Sequence, residues 1–276
     1  MKIKEFLVGS DPELFIVDTS KDNKIISSIG LIPGVKGNAY KPAELPDGFG
    51  LQIDNILAEF NIPPTRDKGD FITHMMVMKD YIRDYVKSKN PNYDICCKAS
   101  AMVDDDQLQS DEAKLFGCSP DFNAWLMEQN PRPQGDSTNL RTTGCHFHIG
   151  YEGNNRDTSV ELVKILDLFL GVPSILIDKD NCRRELYGKA GCFRFTSYGV
   201  EYRVMSGYFI DTPKLIGWCF DQILKAIEFY NEGGSVQDDA GNIIKAINYN
   251  DVEAAESLIK KYKINLTDVW NIWICW

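Results

Sequence analysis

The spacing of hydrophobic positions along the chain predicts a mixture of strands and helices. Alternation of apolar and polar residues with a period of two predicts strands, and these cover residues 6–9, 11–18, 50–62, 95–102, 144–150, 193–195 and 200–204. Apolar residues at helical spacing predict helices at residues 67–88, at 159–170 with a kinked extension past Pro173 toward Ile177, at 213–230 and at 252–262. Strands and helices alternate irregularly, which indicates an α+β fold.

Two long segments rich in glycine and proline separate these elements. Residues 30–50 and 117–136 are predicted to be long structured loops that could form a lid over a site. No internal repeat or linker interrupts the chain. We therefore predict a single domain over residues 1–276, with a helical C-terminal part at 210–276.

Composition narrows the class of protein. The chain has 276 residues, 43% apolar content and a formal net charge of −10, so duplex DNA binding is not expected. The eight cysteines show no C-x-x-C spacing, which argues against a zinc knuckle. The first residues lack the apolar run of a signal peptide, and no segment has the apolar length of a membrane span. These features predict a cytoplasmic protein without membrane contact.

Two of the three histidines occur in the segment Gly144-Cys145-His146-Phe147-His148-Ile149-Gly150. In an extended strand, alternation places His146 and His148 on one face and the apolar side chains on the other. Two neutral imidazoles on one face can bind a metal, position a phosphate or transfer a proton. The H-x-H pair alone also fits an exposed strand with no role.

Acidic residues lie on three of the predicted strands. The first of these strands carries Asp11 and Glu13, the second carries Asp54 and Glu59, and the last carries Glu201. Carboxylates from separate strands, joined by an imidazole, suit Mg²⁺ or Mn²⁺. The spacing from Asp54 to Glu59 is odd, so they share a face only if a bulge or bend intervenes. Glu59 lies in an apolar strand, where a buried carboxylate needs a cationic partner. Asp11 and Glu13 alone also fit a solvated strand edge.

Arginines lie close to these acids in the sequence. Guanidinium groups such as Arg194 and Arg203 bind phosphate or carboxylate in bidentate fashion. Metal, arginines and no evident thiol or serine nucleophile together indicate phosphoryl transfer from a nucleotide. Glu201 and Arg203 also fit a structural ion pair. Lys36 could reach a phosphate, although its glycine-rich loop lacks P-loop spacing.

The order of these motifs resembles the glutamine synthetase and glutamate–cysteine ligase superfamily, and within it the phage-encoded COOH–NH₂ ligase type 2 family. The shared features are two early acidic strands, the G-x-H-x-H segment and a late strand that ends in E-x-R, over roughly residues 7–210. The resemblance implies a glutamine-synthetase-like catalytic domain. Its fold would be α+β, with a curved, mainly antiparallel β-sheet backed by helices and the active site on the concave face.

The resemblance also implies roles for single residues. The implied metal ligands are Asp11, Glu13, Asp54, Glu59, His146 and Glu201. The groups expected to bind nucleotide or substrate are Arg183, Arg184, Arg194 and Arg203, to which Lys36 is added from its own loop. The residues expected to be catalytic are Glu59, His148 and Arg203, and Glu59 or His148 would take a proton from the amine.

The implied activity is that of an ATP-dependent carboxylate–amine ligase with Mg²⁺ or Mn²⁺. ATP would phosphorylate a carboxylate to an acyl phosphate, and an amine would then displace phosphate to form an amide. The expected partners are small-molecule or peptide carboxylates and amines. The apolar segment 269–276 is expected to pack on its own domain or to form a homo-oligomer interface.

Three alternatives stay open at this point. The first is a guanidino-kinase-like phosphotransferase, which would stop after phosphoryl transfer. The second is a catalytically inactive module of the same fold that binds a nucleotide or metabolite. The third is a metal-dependent hydrolase, which would leave the arginine strand unexplained.

Overall fold

The computed structural model describes residues 2–114, 121–131 and 139–270. Its strands are β1 (Phe6–Ser10), β2 (Glu13–Asp18), β3 (Lys24–Ile26), β4 (Gly50–Asp54), β5 (Leu57–Asn61), β6 (Tyr93–Cys96), β7 (Ser100–Met102), β8 (Phe122–Asn123), β9 (Glu128–Gln129), β10 (Leu140–Thr142), β11 (Phe147–Tyr151), β12 (Cys192–Thr196) and β13 (Gly199–Tyr202). Its helices are α1 (Lys68–Lys89), α2 (Asp111–Lys114), α3 (Arg156–Leu166), α4 (Val172–Ile177), α5 (Arg183–Leu186), α6 (Pro213–Asn231), α7 (Ala240–Tyr249), α8 (Val252–Tyr262) and α9 (Thr267–Trp270).

The strands form two larger sheets and one small pair. The first sheet has the strand order β1-β11-β13-β12-β8-β9, and the second has the order β3-β2-β5-β4 with β6 also paired to β2. Strands β7 and β10 form the small pair. Every strand pairing in the described residues is antiparallel. The predicted α+β fold with mainly antiparallel sheet and packed helices is therefore confirmed.

The helices cover the apolar face of the first sheet. Phe71 of α1 packs between Phe147 of β11 and Phe220 of α6, with ring centroids 6.3 and 5.2 Å apart. Phe147 and Ile149 are almost fully buried, as the alternation along β11 predicts. The imidazole of His148 on β11 consequently faces away from the helices.

The long helices were predicted well because each has a local start signal and an apolar stripe. The Asp67 carboxylate accepts a hydrogen bond from the Asp70 N–H at 2.9 Å and caps α1. The kinked helix predicted past Pro173 is confirmed as α3, a five-residue π turn at Asp167–Gly171, and α4. Helix α7 was not predicted.

The predicted single strand over 50–62 is wrong, and the segment is the hairpin β4–β5. Asn55 turns the chain with a φ of 57°, a left-handed conformation that asparagine tolerates better than most residues. Because the chain reverses there, Gln52 lies opposite Glu59, and Asp54 lies opposite Leu57. The odd spacing of Asp54 and Glu59 therefore reflects a turn between two strands. It does not reflect a bulge or a bend within one strand. The strand predicted over 95–102 also splits, into β6 and β7, whereas those predicted at 6–9 and 11–18 correspond to β1 and β2.

The two sheets meet where the chain leaves β1 and enters β2, at Asp11 and Pro12. The N–H of Glu13 donates to the Gly144 carbonyl at 2.8 Å, just before β11. The N–H of Phe60 in β5 donates to the Pro12 carbonyl at 3.1 Å. This junction therefore brings polar residues of both sheets to one place.

The predicted loop at 30–50 is confirmed as a segment without helix or strand between β3 and β4. Of the predicted loop at 117–136, residues 117–120 and 132–136 lie outside the described residues, and the described part contains the short strands β8 and β9. The predicted C-terminal aromatic segment falls mostly outside the described residues as well. Within the described ranges, no helix combines the length and apolar character that a bilayer span requires.

The loop that carries Lys36 contains two glycines that differ in the space around them. Gly34 and Gly37 have φ values of 83° and 81°, but a Cβ on Gly34 would lie 2.1 Å from the Leu51 carbonyl oxygen, whereas a Cβ on Gly37 would meet nothing within 4 Å. Both alanine variants incur left-handed backbone strain of about 1 kcal/mol. Gly34→Ala should lose a further 1–3 kcal/mol, on the order of other strained sites, because it must also displace β4. Urea unfolding measures both variants, and equal losses would contradict the clash.

Candidate active site

An aspartate lies between the two histidines at the junction of the sheets. Asp11 Oδ1 is 3.2 Å from His146 Nδ1 and 3.0 Å from His148 Nε2. Burial by itself would raise the pKa of Asp11, but the two imidazoles outweigh it and hold that pKa far below its ordinary value. For His148, burial lowers the pKa and the Asp11 charge raises it, with a net upward shift. The predicted shared face of the histidines is confirmed, since both reach the same carboxylate.

The orientation of His146 depends on the absence of a side chain at position 144. A Cβ on Gly144 would lie 2.4 Å from His146 Nε2, so that nitrogen faces the Gly144 backbone. The other nitrogen, Nδ1, is 3.2 Å from Arg203 Nη1. A guanidinium can only donate, so Nδ1 accepts this hydrogen bond.

The predicted E-x-R motif forms a buried ion pair next to the histidines. Glu201 Oε1 contacts Arg203 Nη1, and it is 3.5 Å from Arg194 Nη1. Glu201 is the antiparallel partner of both His148 and Arg194, so strand register places all three side chains together. Burial would raise the pKa of Glu201, but Arg203 and then His146 lower it on balance. The pair therefore stays ionised at neutral pH.

A second pair of buried acids has the opposite electrostatic character. Glu13 and Glu59 are cross-strand partners in β2 and β5, and they are only 7% and 8% exposed. Glu13 accepts a hydrogen bond from the Gly144 N–H at 2.6 Å, and Glu59 accepts one from Gln52 at 2.8 Å. Burial raises the pKa of both acids, and the nearby charge of Asp11 raises that of Glu59 further. His146 and Arg203 act to lower the pKa of Glu13, but burial outweighs them.

The remaining predicted residues are divided between the site and its surroundings. Asp54 and Lys36 form an ion pair, with Lys36 Nζ 2.7 Å from Asp54 Oδ1. Arg183 donates to the carbonyls of Thr143 and Val204, each at 2.7 Å, and burial lowers its pKa to about 10. Arg184 instead points to Ser174, its Nη2 2.8 Å from the serine hydroxyl.

Two pockets adjoin the cluster. The first is lined by Glu13, Asp54, Asn55, Leu57, Asp121, Arg141, Thr142, Gly144, His146, Arg183, Tyr187, Gly188 and Arg203. The second is lined by Leu7, Gly9, Ser10, Asp11, Asn61, Ile62, Pro64, His148, Gly150 and Tyr198. The first carries both acids and arginines, while the second is mostly apolar. The contact between Asp11 and His146 joins them.

One set of ligand atoms in the described residues lies close enough together to hold a metal ion. Asp11, His148 and Glu201 each offer one ligand atom, and these atoms lie within 4.8 Å of one another. Two carboxylates and one imidazole suit Mg²⁺ or Mn²⁺. This set contains His148, whereas the sequence assigned the metal to His146.

Sequence reasoning gave no role to Gln52, Arg141 and Tyr198. Gln52 occupies the position opposite Glu59, which only the hairpin register reveals. Arg141 lies three residues before the histidine segment, and this closeness was an available signal. Tyr198 lies in the turn between β12 and β13, and its hydroxyl contacts His148 Nδ1. Nothing local in the sequence marks that contact.

Part of the chain matches a known protein family. Residues 136–240 match the family model "Phage phiEco32-like COOH.NH2 ligase-type 2". The predicted family resemblance is confirmed over these residues. The matched segment contains both histidines, Arg194 and the E-x-R motif. No curated protein matches the chain.

A solved structure, the bifunctional glutathione synthetase from Pasteurella multocida, is similar over 96% of this chain. The two chains share 10% sequence identity with a TM-score of 0.45. This chain spans about half of that enzyme, 48% of its length.

In metal-free protein, the buried glutamates Glu59 and Glu201 should affect the free energy of unfolding in opposite directions. Glu59→Gln should raise the free energy of unfolding at neutral pH, because the elevated pKa of Glu59 means that its ionisation destabilises the fold. Glu201→Gln should lower it by about 3 kcal/mol, because Arg203 loses its partner. Urea unfolding in EDTA measures both, with exposed Glu128→Gln as the control.

The pH dependence of the two variants should differ in sign. An acid with a raised pKa destabilises the folded state increasingly as pH rises from its ordinary value, so the Glu59→Gln gain should grow from about pH 4.5 upward. An acid with a lowered pKa stabilises the fold above its ordinary value, so the Glu201→Gln loss should shrink as pH falls. Equal effects of the two variants across pH would contradict these assignments.

Proposed function

We propose that this protein is an ATP- and Mg²⁺-dependent carboxylate–amine ligase that forms an amide through an acyl phosphate. The observation that carries the proposal is the convergence of Asp11, His148 and Glu201 beside Arg203 and Arg194. Such a site can hold a divalent cation and the phosphates bound to it. The family match supports the ligase class.

The two pockets fit the two halves of such a reaction. In the first pocket, Arg183 and Arg203 would bind the substrate carboxylate, and the acids Glu13 and Asp54 would face a positively charged group. The second pocket is walled by Leu7, Pro64 and other apolar groups, and would accept the nucleotide base. The phosphates would then lie between the pockets, next to Asp11.

The cation would be held by Asp11, His148 and Glu201, and when bound it would neutralise phosphate charge. Arg203 and Arg194 would stabilise the charge that develops on the transferred phosphoryl group. Glu13, the cross-strand partner of Glu59, offers an oxygen ligand for a second cation.

The amine must lose a proton, and Glu59 suits that role best. His148 was the other predicted base, but a histidine that ligates a cation has no free lone pair for a proton. The raised pKa of Glu59 gives it a higher proton affinity than an ordinary carboxylate. Gln52 holds its carboxylate in place.

The test uses hydroxylamine as a general amine, because it traps acyl phosphates as hydroxamates. The protein is incubated with ATP, Mg²⁺, hydroxylamine and pools of amino acids, peptides and other small carboxylates, and hydroxamate and phosphate are measured. We expect equal amounts of both products with at least one pool. Asp11→Asn should reduce the rate at least a hundredfold, on the order of losing a metal ligand, and Glu128→Gln should not change it.

Each alternative function predicts a different outcome of these measurements. Transfer of phosphate to a guanidino compound without amide formation would favour the phosphotransferase. Hydrolysis without ATP would favour the metal-dependent hydrolase. Thermal stabilisation by a non-hydrolysable ATP analogue with Mg²⁺, without any product, would favour the inactive binding module. Absence of both product and stabilisation would refute the proposed function.

A further inference from the structure

We propose that Gly9 and Gly150 form a flat floor of the second pocket on which the nucleotide base lies, and that this floor makes a nucleotide, and not a bare polyphosphate, the phosphate donor. This inference rests on the proposed function, because it assumes that the phosphates of the donor bind next to Asp11. It goes further by naming the residues that select the donor.

The two glycines lie on neighbouring strands and face the same side of the first sheet. In the register of β1 and β11, Gly9 is opposite His148, and Leu7 is opposite Gly150. Residues directly opposite each other in an antiparallel pair share a face, and so do residues two apart in one strand. All four residues line the second pocket. Two positions without a side chain therefore lie diagonally between Leu7 and His148.

The fold itself does not require glycine at either position. Neither glycine has a left-handed φ, and a Cβ would lie 3.5 Å from Tyr198 Cδ2 at Gly150 and 3.5 Å from Pro64 Cβ at Gly9, which are ordinary contacts. By contrast, a Cβ on Gly199 would lie 2.1 Å from a backbone oxygen of β11. Glycine within a strand is less stable than alanine, and it often marks the close approach of a ligand or another backbone.

The walls around this floor suit a flat apolar ring. Leu7 and Tyr198 line the pocket with side chains that are 40% and 45% exposed, and Ile62 and Pro64 add further apolar surface. Covering such surface with an apolar group is favourable. A nucleobase is planar and stacks on aromatic side chains whatever its identity. Its flat face could approach the strand backbone closely only where no Cβ intervenes.

The charged end of the pocket determines which way such a ligand would lie. Asp11 and His148 line the same pocket and belong to the set of ligand atoms suited to a divalent cation. A nucleoside triphosphate would place its phosphates at this end and its base on the glycines. Tripolyphosphate would use the charged end alone. The floor should therefore contribute to the binding of a nucleotide and not to that of a bare polyphosphate.

The experiment compares the affinities of a non-hydrolysable ATP analogue and of tripolyphosphate, each with Mg²⁺, by isothermal titration calorimetry. Gly150→Ala places a methyl group between the base and the backbone. We expect this variant to bind the analogue about tenfold more weakly, as for one extra carbon in a pocket, and to bind tripolyphosphate like wild type. Gly9→Ala should act in the same way.

Stability distinguishes a ligand effect from damage to the fold. Gly150→Ala and Gly9→Ala should melt no lower than wild type in the absence of ligand, because alanine fits both positions without strain. The matched control is Gly241→Ala on α7, where a Cβ would meet nothing within 4 Å. This control should leave both affinities unchanged.

Wild-type protein should bind the ATP analogue more tightly than tripolyphosphate, because only the analogue has a base. A wild-type affinity for the analogue no higher than that for tripolyphosphate would overturn the role of the floor. So would unchanged binding of the analogue in both glycine variants, or an equal loss for both ligands. These outcomes would leave the ligase proposal standing. Binding of neither ligand to wild type would overturn both proposals.

Discussion

Burial of charge is the constraint on which this structure depends. Isolated charges inside a protein cost several kcal/mol each, so every buried carboxylate needs donors or cations from another strand. Asp11 obtains two imidazoles, Glu201 obtains an arginine, and Glu13 obtains a backbone N–H. For Asp11 and Glu13 these partners come from segments more than 130 residues away in the sequence. The site therefore forms only when both sheets have the observed register.

Another buried acid lies outside the cluster and contacts the same strands. Asp167 lies in the π turn and accepts hydrogen bonds from Trp125, Gly191 and Tyr202 at 2.7, 2.6 and 2.9 Å. Burial raises the pKa of Asp167 to about 7 despite these three donors. Because Tyr202 separates the two residues of the E-x-R pair, the π turn also fixes the strand that carries them. Departures from regular helix geometry often have such a purpose.

The acids and bases of the cluster fall into two electrostatic groups with different consequences. Asp11 and Glu201 have lowered pKa values because cationic side chains surround them, whereas Glu13 and Glu59 have raised ones because burial dominates. The first group is balanced by the protein itself. The second would be balanced by a proton or a bound cation, which is the property that a site for charged substrates and metal requires.

The sequence alone determined the features that depend on local spacing. Helix α1, the shared face of His146 and His148, and the E-x-R pair were predictable because apolar periodicity and strand alternation are encoded within a few residues. Tertiary structure decided the rest. The hairpin at Asn55 pairs Gln52 with Glu59, and the packing of α5 directs Arg184 to Ser174, away from the site. The contacts of the two histidines with Asp11 likewise join segments distant in the sequence, because partners across a sheet are set by register and packing, which no local pattern records.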